Sequence, residues 1–158
     1  MTPQAALPPP GQTPETAASP LRSQVPGVGA RKKVLVLEDE AAFREVINDF
    51  LVENGYEVVA VQNGVDGVHE LLAADFDVIV CDMNMPALSG DMFFRAVERM
   101  RPHLCDRFVF MTGHRGIEKI NEFIAQVRGT VLMKPFSVDD LLEIVAFIQV
   151  RTAVHMVA

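Results

Sequence analysis

Five short runs rich in Val, Ile, Leu and Phe constrain the fold of this chain more than any other feature. They cover Lys33–Leu37, Glu57–Val61, Asp77–Cys81, Arg107–Met111 and Thr130–Met133. Longer amphipathic stretches separate these runs. Because short apolar runs that alternate with helical patterns are typical of βα units in a mostly parallel sheet, we predict an α/β chain of the (βα)5 type.

A helix is predicted after each run from apolar spacing and from capping signals. The first contains Phe43 and Leu51 and stops at Asn54-Gly55, and the second has Asn63 as its N-cap. The predicted bounds of the others are Gly90-Asp91 to before Pro102, Ile117–Val127 ended by Gly129, and Ser137 to about Val150, where Asp140 completes a capping box with Ser137.

The amino-terminal segment differs sharply in composition from the rest of the chain. Seven of the ten prolines lie within residues 1–26, and residues 1–30 contain one acid, Glu15, and one base, Arg22. Such a segment has no apolar periodicity with which to build a core, so we expect a disordered tail or linker over residues 1–30. The predicted compact domain covers residues 31–152, followed by a short tail over residues 153–158.

Net charge and hydropathy argue against several classes of function. The formal net charge is −7, whereas duplex binding depends on Lys and Arg contacts to phosphates, so direct DNA binding is not expected. No stretch approaches the roughly 20 apolar residues that cross a bilayer, and no secretion signal is visible, so we expect a cytoplasmic location without membrane insertion. Cys81 and Cys105 lack the spacing of a zinc site and are interpreted as reduced thiols.

Polar residues collect at the carboxyl ends of the predicted strands. Glu38 and Asp39 follow the first run, Asp82 follows the third, Thr112 follows the fourth and Lys134 follows the fifth. A five-stranded doubly wound sheet favours the strand order 2-1-3-4-5, whose topological switch point lies between the first and third strands. We therefore expect these five side chains to converge in one crevice.

Three carboxylates in one crevice repel one another unless a cation lies among them. Mg²⁺ prefers oxygen ligands and is usually held by one or two carboxylates and a phosphate, which makes Asp39 and Asp82 candidate ligands. A carboxylate can also attack a phosphoryl group, while Lys134 and Thr112 could contact its oxygens. The alternative is that each residue only caps a helix or solvates a loop, but five such residues at four strand ends favour a site.

Four motifs resemble the receiver domain of two-component response regulators, over about residues 32–150. They are Glu38-Asp39-Glu40, Cys81-Asp82 with Met85-Pro86 and Gly90, Met111-Thr112-Gly113, and Lys134-Pro135-Phe136. The resemblance implies a three-layer, flavodoxin-like doubly wound fold. It also implies a signalling domain that is no enzyme in the ordinary sense but assists its own phosphorylation and dephosphorylation.

The same resemblance implies a role for each site residue. Asp82 would be the phosphoacceptor, Thr112 and Lys134 would contact the phosphoryl group, and the Lys134–Pro135 bond would be cis. Mg²⁺ would be held by the acidic pair Glu38 and Asp39 together with Asp82 and the main-chain carbonyl of Asn84. The implied donor is a sensor histidine kinase or a phosphotransfer protein.

Two features bear on how a signal would leave the domain. Receivers often have Tyr, Phe or His three residues before the lysine, whereas this chain has Val131, so switching by a swinging aromatic ring is not expected. Leu142, Phe147 and Val150 fall off the inward face of the last helix. That face is a candidate docking surface for a downstream protein, and contact with the amino-terminal tail or with residues 151–158 is the alternative. A homodimer is a further expected state of the chain.

Two other functions remain open at this point. A haloacid-dehalogenase-type phosphatase also uses Asp, Mg²⁺, Thr or Ser and Lys, but its general acid lies two residues after the nucleophile, where this chain has Asn84, and its acidic pair follows the lysine. A receiver-like interaction module that is never phosphorylated usually lacks one of the five site residues. Here all five are present.

Overall fold

One parallel sheet organises the molecule. The computed structural model describes residues 29–113 and 118–155. Five strands lie in the order β2-β1-β3-β4-β5, all neighbours are parallel, and helices connect them. This arrangement confirms the predicted fold class and strand order.

The observed elements lie close to the predicted ones. The strands are β1 (Lys33–Leu37), β2 (Glu57–Val61), β3 (Val78–Asp82), β4 (Phe108–Thr112) and β5 (Thr130–Met133), so that only β3 and β4 differ from prediction, each by one residue. The helices are α1 (Ala41–Glu53), α2 (Gly64–Ala73), α3 (Gly90–Met100), α4 (Glu118–Val127) and α5 (Val138–His155). The predicted start of α4 at Ile117 lies outside the described residues, as do residues 1–28 of the predicted amino-terminal segment and residues 156–158 of the predicted short tail.

Three predicted helix signals act as expected. Gly55 has φ +92°, a left-handed conformation that favours glycine, and it follows α1. The side chain of Asn63 accepts a hydrogen bond from the N–H of Asp66 at 2.8 Å and caps α2. Ser137 and Asp140 form the reciprocal capping box of α5, in which the side chain of each accepts from the N–H of the other.

Three details correct the sequence-based prediction. Helix α5 continues to His155 rather than ending near Val150, and an unpredicted 3₁₀ helix over Pro102–Arg107 precedes β4. The left-handed residue after α4 is Arg128, with φ 53°. Gly129 is needed for a different reason, because a Cβ there would lie 2.6 Å from the ring of Phe110.

Alternating strand residues supply two apolar layers on opposite faces of the sheet. One layer joins Leu35, Ile79 and Phe110 with buried residues of α2, α3 and α4. The other joins Val36, Val80 and further strand residues with buried residues of α1 and α5. Strands β3 and β4 are buried along their whole length, which fixes the positions of Asp82 and Thr112 at their ends. Within the described ranges, no helix is both long enough and apolar enough to span a bilayer.

Candidate functional site

A cluster of three carboxylates lies where β1 and β3 end. Leu37 pairs with Cys81 in the sheet, so Glu38 and Asp82, each one residue further along, lie side by side. Glu38, Asp39 and Asp82 each offer a carboxylate oxygen, and these oxygens all lie within 4.8 Å of one another. The three carboxylates of the predicted crevice therefore lie together at the topological switch point.

Glu38 is the most tightly held member of the cluster. Its side chain is 1% exposed, Oε2 accepts from the ammonium of Lys134 at 3.0 Å, and Oε1 accepts from the N–H of Glu40 at 3.2 Å. Burial raises the pKa of the Glu38 carboxyl to about 6, and the charge of Asp82 acts in the same direction, while the hydrogen bond from Lys134 opposes both. An additional cation beside this carboxyl would favour its ionised form.

Asp82 has both carboxylate oxygens engaged. Oδ1 accepts from the N–H of Asn84 at 3.0 Å, and Oδ2 accepts from the ammonium of Lys134 at 3.2 Å. The start of α3 packs tightly against this loop, because a Cβ on Gly90 would lie 2.7 Å from the backbone oxygen of Asp82. Asn84 is therefore next to the cluster through its N–H, and the role of its carbonyl stays a prediction.

Lys134 connects the far strand to the acidic cluster. The backbone N–H of Lys134 donates to the backbone carbonyl of Thr112 at 2.8 Å, which continues the sheet hydrogen-bond pattern beyond the end of β5. Burial alone disfavours the charged ammonium, but the hydrogen bond to Glu38 and the negative charges of Asp82 and Glu38 outweigh it, so the pKa of Lys134 lies above its usual value. Lys134 therefore stays protonated at neutral pH and lies between two of the carboxylates.

Thr112 is buried at the end of β4, the strand next to Asp82. The Lys134–Pro135 peptide bond is cis, as the resemblance implies. Val131 is half-buried in β5 and pairs with Phe110 in the sheet, so the position at which many receivers carry a ring contributes an aliphatic side chain to the strand.

Arg44 is a site neighbour that sequence reasoning missed. Its guanidinium donates to the backbone carbonyl of Glu38 at 2.8 Å and to that of Asp39 at 3.4 Å. Arg44 lies in the first turn of α1 and is the only cationic residue of that helix. Because a positive charge at a helix N-terminus is disfavoured by the helix dipole, this placement was a signal that the side chain has a specific partner.

The oxygen set fits a hard divalent cation. Asp39 is exposed, and within residues 29–113 and 118–155 its carboxylate accepts no hydrogen bond, whereas the carboxylates of Glu38 and Asp82 already accept bonds from the protein. Oxygen ligands from one or two carboxylates, one of them open to solvent, are what Mg²⁺ requires of a protein. The residues present could therefore hold this ion.

Comparison with known proteins agrees with this geometry. Residues 34–146 match the family model described as response regulator receiver domain. The chain is 27% identical over 112 residues to the chemotaxis protein CheY of Bacillus subtilis, which covers 70% of this chain and 92% of that protein. It is 32% identical over 114 residues to the response regulator protein FleR of Pseudomonas aeruginosa, covering 72% of this chain but only 24% of FleR.

A solved structure shows the same likeness in three dimensions. The chemotaxis protein CheY4 of Vibrio cholerae superposes with a TM-score of 0.69 at 30% identity and covers 75% of this chain and 99% of that one. The family match covers more than half of the chain, and the fold and the polar cluster agree with it. The chain therefore belongs to the response regulator receiver domain family of two-component systems.

Proposed function

We propose that this domain accepts a phosphoryl group on Asp82 from a phosphohistidine of a sensor histidine kinase or a phosphotransfer protein. The observation that carries the proposal is the buried carboxylate of Asp82, which is bonded to Lys134 and lies within 4.8 Å of two other carboxylates. A carboxylate oxygen of Asp82 would attack phosphorus, the P–N bond would break, and the imidazole nitrogen would keep the electron pair and take up a proton.

The neighbouring residues have distinct roles in this proposal. Lys134 would neutralise negative charge on a phosphoryl oxygen, and the Thr112 hydroxyl would donate to another. Arg44 would hold the backbone of Glu38 and Asp39 in place, because its guanidinium binds their carbonyls. The same residues would assist attack of water on the acyl phosphate, which returns the domain to its starting state.

Mg²⁺ is the cofactor that we propose for this site. Asp39 and Asp82 would bind it together with the main-chain carbonyl of Asn84, and Glu38 would complete the acidic surroundings. When bound, the ion would supply positive charge to phosphoryl oxygens that approach Asp82. The exposed carboxylate of Asp39 would be the first contact for the entering ion.

The output surface that we propose is the outer face of α5. Phe147 and Val150 on this face are 57% and 64% exposed, whereas Leu142 is partly buried and packs against the core. A downstream protein that docks there would bury apolar surface that now faces solvent. The predicted surface is therefore smaller than the sequence suggested and is centred on the second half of the helix.

The proposal is tested by labelling the protein with radioactive acetyl phosphate. We expect hydroxylamine-labile label that needs Mg²⁺ and that is absent from Asp82→Asn. Asp49→Asn is the matched control, because Asp49 is exposed on α1 and lies outside the carboxylate cluster.

Two other results would point to the remaining alternatives. Persistent hydroxylamine-labile label in Asp82→Asn would show that Asp82 is not the acceptor. Hydrolysis of an unrelated phosphoester would favour a phosphatase. Failure of acetyl phosphate and of a phosphohistidine donor to label the wild-type protein would favour an interaction module that is not phosphorylated.

A further inference from the structure

An aromatic ring lies near the ammonium of Lys134. The Nζ atom of Lys134 is 5.0 Å from the ring centroid of Phe43, which belongs to the first turn of α1. The same ring is 5.6 Å from that of Phe136, two residues beyond the lysine. Phe43 therefore touches both the ammonium and the segment that follows it.

The lysine needs such a constraint more than the acidic residues do. Glu38 and Asp82 have short side chains that are almost fully buried. The side chain of Lys134 is 26% exposed and has a flexible stem of four carbons. Its ion pairs with the two carboxylates attract the ammonium to the cluster. They do not by themselves prevent the ammonium from swinging toward solvent.

The face of a phenyl ring attracts a cation because it carries the negative part of the ring quadrupole. A distance of 5.0 Å lies within the range in which this attraction acts. An aliphatic side chain of similar size could fill the same space, but it would offer no such attraction. The chemical nature of Phe43, and not only its volume, therefore affects where the ammonium lies.

We propose that Phe43 is a positioning residue for phosphoryl transfer, holding the Lys134 ammonium at the acidic cluster through its ring face. This inference rests on the proposed function of Asp82. Phe43 does not touch the reacting atoms and acts through Lys134. Phe43 lines a cavity of about 430 Å³ beside the Lys134 side chain, together with Glu40, Gly113, Lys134, Pro135 and Phe136.

A pair of substitutions separates the ring from its volume. Phe43→Tyr keeps an aromatic face, whereas Phe43→Leu keeps an apolar side chain without one. Phe50→Leu is the matched control, because Phe50 is a half-buried phenylalanine of the same helix that is not part of the Phe43–Phe136 ring pair or of the cavity. Thermal unfolding and Mg²⁺ titration of each variant measure general damage to the fold and to the metal site.

Two measurements then decide the inference. NMR reports the ring-current shift of the Lys134 side-chain protons, which should be present in the wild type, Phe43→Tyr and Phe50→Leu and lost in Phe43→Leu. The initial rate of labelling by acetyl phosphate should fall about two- to fivefold in Phe43→Leu, in keeping with a cation–π attraction at a partly exposed site. Phe43→Tyr should stay close to the wild-type rate, with Mg²⁺ affinity unchanged in both variants.

A wild-type rate in Phe43→Leu, or an equally slow rate in Phe43→Tyr, would overturn the inference while the proposed function stands. Loss of Mg²⁺ affinity parallel to the loss of rate would also overturn it, since the ring would then act on the whole site. Absence of label in the wild-type protein would overturn the proposed function itself. In that case the ring-current shift would still show whether Phe43 holds the lysine.

Discussion

At the scale of single residues, the loop after Asp82 contains a backbone conformation that its sequence does not favour. Ala87 has φ 66°, in the left-handed region that L side chains other than Asn and Asp rarely adopt. The residue is exposed, so no contact of its methyl group compensates for this conformation. The loop between β3 and α3 is therefore held in place by its neighbours rather than by local preference.

Replacing Ala87 with glycine should stabilise the protein. Relief of the left-handed strain should raise the free energy of unfolding by about 1–2 kcal/mol. The greater freedom of glycine in the unfolded chain should offset roughly half of that gain. Thermal unfolding should show a melting temperature raised by a few degrees. Ala146→Gly, at an exposed position within α5, is the control of opposite sign, because glycine in a helix costs about 1 kcal/mol. A lower melting temperature in Ala87→Gly would contradict the assigned strain.

The two cysteines should differ in accessibility but not in their tendency to stay protonated. Burial raises the pKa of the Cys105 thiol to about 11, and the charges of Glu98 and Asp106 act in the same direction. Burial also raises the pKa of Cys81, which is completely inaccessible. Because the thiolate is the reactive form, raising the pKa lowers its fraction at neutral pH.

Alkylation of the folded protein by iodoacetamide should therefore be slow and should occur at Cys105. The rate should rise about tenfold for each pH unit above neutrality until the pH approaches the thiol pKa. Cys105→Ser should remove nearly all of the reaction, since Cys81 stays buried. A rate that levels off near the ordinary thiol pKa of about 8.5 would contradict the raised value.

At the scale of helices and strands, the sequence predicted the sheet better than the helix ends. Strand bounds came out within one residue because buried parallel strands are continuous apolar runs with polar residues at their ends. The apolar spacing of the helices was less informative. Val46 in α1 and Leu72 in α2 share the apolar spacing of their helices, yet they are 52% and 63% exposed.

The end of α5 shows why such a boundary is hard to predict. Arg151 and Thr152 interrupt the apolar spacing directly after the predicted end near Val150. In the structure the Thr152 hydroxyl donates to the carbonyl of Gln149, so this buried polar group is satisfied inside the helix. Arg151 donates to the carbonyl of Asp106 in the 3₁₀ helix, which had not been predicted.

Removal of residues 151–158 should destabilise the domain. The deletion takes away the buried Thr152 and the contact from Arg151 to the 3₁₀ helix, so the free energy of unfolding should fall by about 1–3 kcal/mol. Denaturant unfolding measures this difference, and a chain that ends at His155 is the control. Equal stability of the two shortened chains would show that the end of α5 does not contribute to the fold.

The site was predictable to the extent that strand ends determine it. Glu38, Asp82 and Lys134 come together because parallel strands place their carboxyl ends at one edge of the sheet. Phe43 and Arg44 were not identified as neighbours of the site, because their contacts depend on the direction of α1 side chains relative to the loops. Helical periodicity identifies the face of a helix but not its distance from a particular ammonium or carbonyl.

At the scale of the whole molecule, the two apolar layers support a sheet whose polar cluster lies at a single edge. Strands β1 and β3, which carry the carboxylates, are central, whereas Lys134 follows the edge strand β5. A change in the charge of Asp82 would thus act directly on Lys134, which lies shortly before α5 in the chain. The contact between Lys134 and Asp82 therefore links the acidic cluster to the segment that precedes α5.

The chain covers most of the length of some relatives and a minor part of others. It spans 92% of the Bacillus chemotaxis protein CheY but 48% of the Escherichia coli transcriptional regulatory protein HprR and 24% of FleR. The family membership of the domain is common to all of these. Phosphorylation of this chain and the output that would follow it are therefore proposals, and the outer face of α5 is the surface at which the output can be tested.

The most direct test of the central claim is to locate the phosphoryl group by chemistry. After incubation with acetyl phosphate and Mg²⁺, borohydride reduces an aspartyl phosphate to homoserine, and peptide mass spectrometry locates the converted residue. We predict homoserine at position 82, dependent on Mg²⁺ and absent without the phosphodonor. Conversion at a different aspartate, or at none while the folded protein binds Mg²⁺, would contradict it.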